Sequence, residues 1–391
     1  MRILLVNETA RAHVGGANRM VVETIGLLEK AGHEPALAYG DGGGSDVTCP
    51  VFPYDRRALG PAIEREFSKI LLEFAPDVVQ FHHLENLGMQ RLVLSQAPSC
   101  WFLHDQGWFC SGGDRMARDF TPCHRPHGAA CLAWHLLQGC GGKNPLRNWR
   151  RWRWVGGFLR EARAPLRFQV ASAFMRQGLV ENGVGTARID LVPLFALPMA
   201  GNTASEPGLL LLPSRLVRGK GLELAIESLA LRTELNWRLA VAGDGPRREA
   251  LERLTHARGI SARVQFLGEL TPADLARWYD RACLVLHPTA RPEPFGLVGP
   301  ESMAHGRAVV AFAGGATEEW LQDGVNGVIV RQRTARALSQ TIATLVRDEK
   351  KCATMGQAAK ERWQAFRPEQ FVKRLVESYE RTRTGFCAAR G

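Results

Sequence analysis

Short unbroken apolar runs alternate with amphipathic stretches along most of the chain. Residues 3–6 read Ile-Leu-Leu-Val. That run is too short for a helix and apolar on both faces, the pattern of a strand buried in a parallel sheet. A loop with Gly15 and Gly16 follows. Apolar residues at Met20, Ile25, Leu27 and Leu28 then predict a helix closed by Gly32. Residues 36–39 predict a second strand and complete an opening β-α-β unit. The alternation continues with a helix over 68–74, stopped by Pro76-Asp77, and strands over 78–82, 99–104, 169–171 and 189–192.

Residues 193–208 break the pattern. Pro193, Pro198 and Pro207 stand there among small polar residues, which reads as a linker. A second series opens with four leucines at 209–212, followed by a helix over 222–231 and strands over 238–242, 264–267, 284–286 and 309–311. The tail over 368–382 predicts one amphipathic helix. The expectation is an α/β protein of two domains, 1–195 and 209–365, with a terminal helical segment over 366–391. A chain of 391 residues suits two cores of ordinary size.

Composition narrows the partners. An apolar fraction of 45% and a charged fraction of 23% are those of a globular, water-facing chain. No run of about 18 apolar residues predicts a spanning helix. The first apolar run is too short for the core of a signal peptide. The expected location is cytoplasmic, with peripheral attachment to the inner face of a membrane left open. A net charge of +11 suits nucleic acid, an anionic membrane surface or a phosphate-bearing small molecule. No nucleic-acid-binding module is recognisable, which ranks nucleic acid last and leaves it out of the expected partners.

The chemistry concentrates in the second half. Arg215 and Lys220 lie five residues apart between a predicted strand and a predicted helix. There a guanidinium fork and an ammonium point charge could straddle a diphosphate. Gly243-Asp244-Gly245-Pro246 closes the next strand, at the edge where such sheets hold ligands. Glu293 and Glu301 lie eight residues apart, the first in a proline-rich loop and the second opening a helix. Backbone amides near Phe295, Gly296 and Leu297, at that helix's start, could meet a phosphate. Each motif alone has an ordinary reading as a solvated loop or a turn; their order gives them weight.

In that order they resemble the family-4 retaining glycosyltransferases of the GT-B fold. Arg215 and Lys220 match that family's phosphate-binding pair. Gly243 through Pro246 and Phe266-Leu267-Gly268 match its next landmarks, and Glu293 and Glu301 its two-glutamate motif. Gly314-Gly315, Glu319, Asp323-Gly324, Asn326 and Gly327 continue the match. In the first half, Gly15-Gly16, Gly32-His33-Glu34, the segment 76–79 and His104-Asp105 agree, so the resemblance covers nearly the whole chain. It implies two facing Rossmann-like domains with a C-terminal helix crossing back to the first. It also implies transfer of a sugar, with retention, from a nucleotide-sugar donor to a glycan or lipid-linked acceptor in surface polysaccharide or glycoconjugate synthesis.

The resemblance further implies roles. Arg215 and Lys220 neutralise the leaving diphosphate and Glu301 holds the ribose. Glu293 holds sugar hydroxyls with the amides of Phe295, Gly296 and Leu297. Gly243 and Gly268 belong to the donor site. Gly16 lets the first domain approach the diphosphate, and His104 lines the sugar site. The leaving phosphate takes the acceptor's proton, so the glutamates need not be the carboxylate pair of glycoside hydrolysis. No cofactor is required, since the cation pair stands where others use a metal. Two rivals remain: a nucleotide-sugar epimerase on the same fold, and a non-catalytic nucleotide-sugar-binding protein. A dehydrogenase lacks its glycine fingerprint after the first strand.

Residues 105–154 depart from a minimal first domain. Cys110, Cys123, Cys131 and Cys140 lie within 31 positions, with His124, His127 and His135 among them. They could hold a structural zinc ion or stand as free thiols. Disulfides rank third, because nine cysteines in a cytosolic chain are more often thiols or ligands. The stretch 147–154, Arg-Asn-Trp-Arg-Arg-Trp-Arg-Trp, reads as a contact with an anionic membrane surface, or as an amphipathic helix with Trp149 and Trp152 packed inward and the arginines in water.

Overall fold

The computed structural model describes residues 1–10, 16–40, 45–55, 61–83, 86–162, 166–197 and 205–388. The chain forms two compact units. Met1–Pro193 with Pro368–Gly391 make the first, and Leu194–Arg367 the second.

The first unit is a parallel sheet of β1 (Arg2–Asn7), β2 (Glu34–Tyr39), β3 (Val51–Pro53), β4 (Val78–Phe81), β5 (Ser99–Leu103), β6 (Arg167–Val170) and β7 (Ile189–Leu191). Their order is β3-β2-β1-β4-β5-β6-β7. Strands β1, β4 and β5 are buried almost throughout, β1 and β5 as largely apolar runs and β4 with the polar Gln80 inside it. Phe67, Phe81, Trp101, Phe158 and Phe168 anchor the core, each fully buried. The final helix, Pro368–Ala388, lies against β4 and β5. It seals polar groups in the sheet as well as apolar ones. Tyr379 donates to Gln80 Oε1 at 2.7 Å and Ser378 to Asp190 Oδ2 at 2.6 Å, while Gln169 donates to Ser378 at 2.9 Å. Buried polar atoms left without such partners would each cost about 1–3 kcal/mol.

The second unit is a parallel sheet of β8 (Leu209–Pro213), β9 (Arg238–Ala242), β10 (Val264–Gly268), β11 (Leu284–His287), β12 (Ala308–Phe312) and β13 (Gly327–Val330). The order is β10-β9-β8-β11-β12-β13. The strand sequence reverses direction between β8 and β11. In open parallel sheets that switch opens a crevice beyond the strands' carboxyl ends.

Two strands escape the hydrophobic pattern. β3 is three residues long, sits at the sheet edge and ends in a proline, so it carries no apolar run. β13 starts at Gly327, inside a turn motif that masks it. The stretch expected to be a linker is partly packed: Leu194, Phe195 and Ala196 are buried, and Trp363 Nε1 donates to the Ala196 carbonyl at 3.2 Å.

Candidate active site

Around the β8/β11 switch the loops after four strands converge. Ser214 and Arg215 follow β8 and Gly243 follows β9; Gly268 ends β10, and Glu293 lies beyond β11. The Gly243 amide donates to the Gly268 carbonyl at 2.8 Å and the Leu216 amide to the Asp244 carbonyl at 2.8 Å, which ties the first three loops together. Gly243 must be glycine. Its φ is +136°, and a Cβ there would lie 2.1 Å from the Ser214 carbonyl oxygen. Gly221 is as constrained where the loop after β8 turns into its helix: its φ is +73°, and a Cβ would sit 1.7 Å from the Pro288 oxygen.

That turn delivers Lys220 to Glu293. Lys220 Nζ stands 2.5 Å from Glu293 Oε1, with side-chain exposures of 20% and 11%, so the pair is screened little by water. Burial alone would raise the Glu293 carboxyl. The Lys220 ammonium, His287 and hydrogen bonds from Lys220 and Thr289 overcome it and hold the group ionised, below its ordinary value. His287, the last residue of β11, is pushed down by burial to about 4, with Glu293 opposing and Lys220 assisting. Its Nε2 is buried with no hydrogen-bond partner among the described residues. Sequence reasoning passed over His287. The available signal was a polar residue closing an otherwise apolar strand on the ligand side.

Arg215 is exposed, and no ion pair or hydrogen bond of its side chain exists among the described residues. The two cations read as a pair in the sequence therefore differ: one is held by a buried carboxylate, the other is open to solvent. Beyond Glu293, no group among the described residues accepts from the amides of Phe295, Gly296 or Leu297. Gly296, at φ +88°, leaves His287 Nε2 and Trp320 Nε1 nearest to where its Cβ would be, at 3.6 and 3.7 Å. Trp320 Nε1 donates to the Phe295 carbonyl at 2.8 Å and fixes the segment from below. Glu301, in the helix Val298–Ala304, accepts from the Tyr279 hydroxyl at 2.9 Å. Tyr279 is a second residue the sequence did not single out. A cavity of about 350 Å³ lies elsewhere, by Gly208 and Cys283 at the amino ends of β8 and β11.

In the first unit, Gly16 opens the helix Gly16–Lys30, while Gly15 lies outside the described residues. His104 follows β5 and belongs to a histidine cluster. His82 Nδ1 and His104 Nε2 share a hydrogen bond of 2.8 Å, and the His83 ring stacks on His104 at 5.3 Å. His83 Nε2 approaches Asp105 Oδ2 at 3.7 Å. Burial, then His82 and His83, hold His104 well below its ordinary value, with Asp105 opposing. Burial takes His82 down to about 3. Within the cluster His82 and His104 are thus held as neutral rings able to donate and accept hydrogen bonds, and only His104 was a sequence candidate.

The segment 147–154 is helical, within Pro145–Glu161, and its residues divide by face. Asn148, Val155 and Phe158 are buried, and Trp154 packs on Trp108 and Phe158. Trp152 Nε1 donates to the Gly128 carbonyl at 2.9 Å. Leu146, Arg147, Trp149, Arg150 and Arg153 are exposed. Of the three tryptophans, only Trp149 is thus open to a surface. The four cysteines fall in one module before this helix, all half-buried and with free thiols. No three side chains of the described residues form a finished metal cage.

Known proteins resemble both halves. Residues 199–362 match the family described as glycosyl transferases group 1, and residues 14–195 the family described as glycosyltransferase family 4. A D-inositol 3-phosphate glycosyltransferase of Corynebacterium urealyticum is 31% identical over 175 residues, 42% of this chain and 41% of that one. The chain spans about two fifths of the length of such curated relatives. Among solved structures, the sucrose-phosphate synthase of Thermosynechococcus elongatus superposes with a TM-score of 0.76 at 19% identity, over 97% of this chain and 98% of that one. Anabaena HepE, solved with UDP and glucose, gives 0.73 at 18% identity over 97% and 99%. At those identities the structures speak to the fold alone.

Proposed function

Because the chain belongs to the family-4 glycosyltransferases of GT-B fold, we propose that it moves a hexose, with retention, from a nucleotide sugar to a glycan or lipid-linked acceptor. The observation that carries this reading is the β8/β11 crevice, where Lys220 is aimed by a buried, ionised Glu293, with Arg215, which has no side-chain partner among the described residues, and the amides of Phe295 through Leu297 on the same loops. When the bond from the anomeric carbon to the phosphate oxygen breaks, negative charge builds on the leaving diphosphate. Fixed cations and amides already oriented there stabilise that charge without reorganising. Glu293 keeps Lys220 in place and offers its free oxygen to sugar hydroxyls. Glu301, positioned by Tyr279, is read as the ribose acceptor. The acceptor is recognised by the first unit, in surface polysaccharide or glycoconjugate synthesis. A UDP-sugar is the first donor to try, UDP and glucose being what Anabaena HepE, of the same fold, was solved with.

Thermal unfolding in the presence of UDP-, GDP-, ADP- and dTDP-sugars tests the donor site. One of them at a hundred times its Kd should stabilise the protein by about 2.7 kcal/mol, roughly 5–10 °C for a unit of this size. Arg215→Ala should shrink the shift without lowering the unliganded Tm, since Arg215 is exposed. Equal shifts in both proteins, or none with any donor, would remove the phosphate role.

A lipid-side approach is part of the reading. Leu146 and Trp149 are 55% and 43% exposed, among Arg147, Arg150 and Arg153 on one helix, an apolar and basic face suited to anionic headgroups. No helix among the described residues is long and apolar enough to cross a membrane. The protein should sediment with phosphatidylglycerol vesicles at low salt and be released by Trp149→Ala with Arg150→Glu. Equal sedimentation of the variant would dismiss this face.

A further inference from the structure

Between β5 and the helix Pro145–Glu161, the chain leaves the core after Met116 and residues 117–140 hold their shape with almost no buried side chains. Across residues 117–140 only His135 is buried. The backbone is nevertheless well defined. Ala117 donates to the Thr121 carbonyl at 2.9 Å, Met116 and Pro122 form an antiparallel bridge, and Arg118 donates to the Gln138 carbonyl at 2.9 Å. Two non-glycine residues here, Arg115 and Phe120, take positive φ of 48° and 70°. A segment with strained turns and so few buried side chains needs something other than apolar burial to fix it.

Its cysteines are placed to supply that. Cys110 begins a tight turn in which the Gly113 amide donates to the Cys110 carbonyl at 3.0 Å. The amides of Gly112, Gly113 and Arg115 point at the Cys110 sulfur itself. The Cys123 amide donates to the Arg115 carbonyl at 2.7 Å, which brings the second cysteine beside that turn. Gly112 packs so closely on Cys140 that a Cβ would lie 3.0 Å from the Cys140 carbonyl oxygen and 3.4 Å from its Cβ. Cys131 lies one helical turn before His135 in the helix Ala130–Leu137, on the same face, and His135 in turn reaches Cys140. His135 Nδ1 lies 3.3 Å from the Cys140 sulfur and its Nε2 2.9 Å from Ser111 Oγ, a polar second layer.

We propose that Cys110, Cys123, Cys131 and Cys140 bind one zinc ion as a tetrahedral four-thiolate site that holds this segment in place of a hydrophobic core. The cage is unfinished, since no three described side chains yet converge on one point. Gly112 brings Cys140 against the turn that Cys110 begins, the Arg115 carbonyl brings Cys123 there, and the helix Ala130–Leu137 carries Cys131 one turn from His135; the site closes on metal binding by rotation about the Cα–Cβ bonds. Binding releases the thiol protons to solvent. The proposal is independent of the donor chemistry, which resides in the second unit.

The test uses the full chain, purified reduced, without a histidine tag or chelator. Elemental analysis should find one zinc per chain, released by a mercurial thiol reagent. Chelator-treated protein given cobalt should show the visible bands of tetrahedral thiolate-bound cobalt. Cys123→Ser and Cys131→Ser should lose both signals, while Cys352→Ser, a buried thiol of the second unit, keeps them. The cobalt titration of the unaltered chain stands even where a variant fails to fold. Protein with neither zinc nor cobalt bands, with iron in zinc's place, or with these four cysteines paired as disulfides in mass spectrometry would overturn the proposal.

Discussion

Lys220→Ala should lower kcat/KM for sugar transfer by about 100- to 1000-fold, the usual loss when one preorganised charge-stabilising group is removed from a reacting centre. It should also unsettle the protein. Glu293, with a side chain only 11% exposed, would be left as a buried charge without its 2.5 Å partner. Breaking a buried pair from one side costs about 3–5 kcal/mol. The two effects separate in the double variant Lys220→Ala with Glu293→Gln. Stability should return to within about 1–2 kcal/mol of the unaltered protein while activity stays low. Chemical denaturation and initial-rate assays on the three proteins read both. A single variant within tenfold of normal activity would mean that Lys220 serves the fold and not the leaving group.

Acid should destabilise the protein well above the range where carboxylates titrate. His82 and His287 have folded-state values of about 3 and about 4 against an ordinary 6.5. Above pH 6.5 both states hold these rings neutral and the difference contributes nothing. As pH falls below 6.5, the unfolded chain takes up protons that the folded one refuses. Stability is then lost at about 1.4 kcal/mol per pH unit for each such ring, until the folded ring itself titrates. Glu293 adds its own loss lower down, because its folded value is depressed and its stabilisation fades as pH drops from the ordinary carboxylate range. Calorimetry in steps from pH 7.5 to 4.5 should therefore show a steep fall in Tm. His82→Gln should flatten the fall for the transition of the first unit. An unchanged slope in that variant, or a flat profile above pH 5, would show that these rings protonate without resistance.

The sequence carried the architecture because parallel strands buried on both faces must be apolar runs, and those runs were there to count. Strand β3 was hidden for the opposite reason: at an edge, with Pro53 closing it, there is no second face to bury. The candidate-site residues of the second unit were legible as motifs, since glycines at 243 and 268 and the cations at 215 and 220 stand at strand ends where backbone shape and charge both leave marks. Their pairing was not legible. That Lys220 belongs to Glu293, 73 positions on, depends on β8 and β11 being neighbours, a fact of topology and not of local pattern. The histidine cluster was hidden in the same way. His82 and His104 follow adjacent strands, and nothing in either segment names the other. In the stretch 147–154, composition announced an interface, but only the helical phase sorted Trp149 to the outside and Trp154 to the core.

The first unit is interrupted. Its sheet ends at Leu191, the whole second unit follows, and only then does the helix Pro368–Ala388 arrive to cover Gln80, Gln169 and Asp190. On the ribosome this sets an order of assembly. The second unit is a continuous stretch that can close once Arg367 has emerged, whereas the first, although made earlier, waits with polar sheet groups uncovered until the helix Pro368–Ala388 has left the tunnel. A message cut short anywhere before codon 368 would thus release a chain whose later half could be finished and whose earlier half could not.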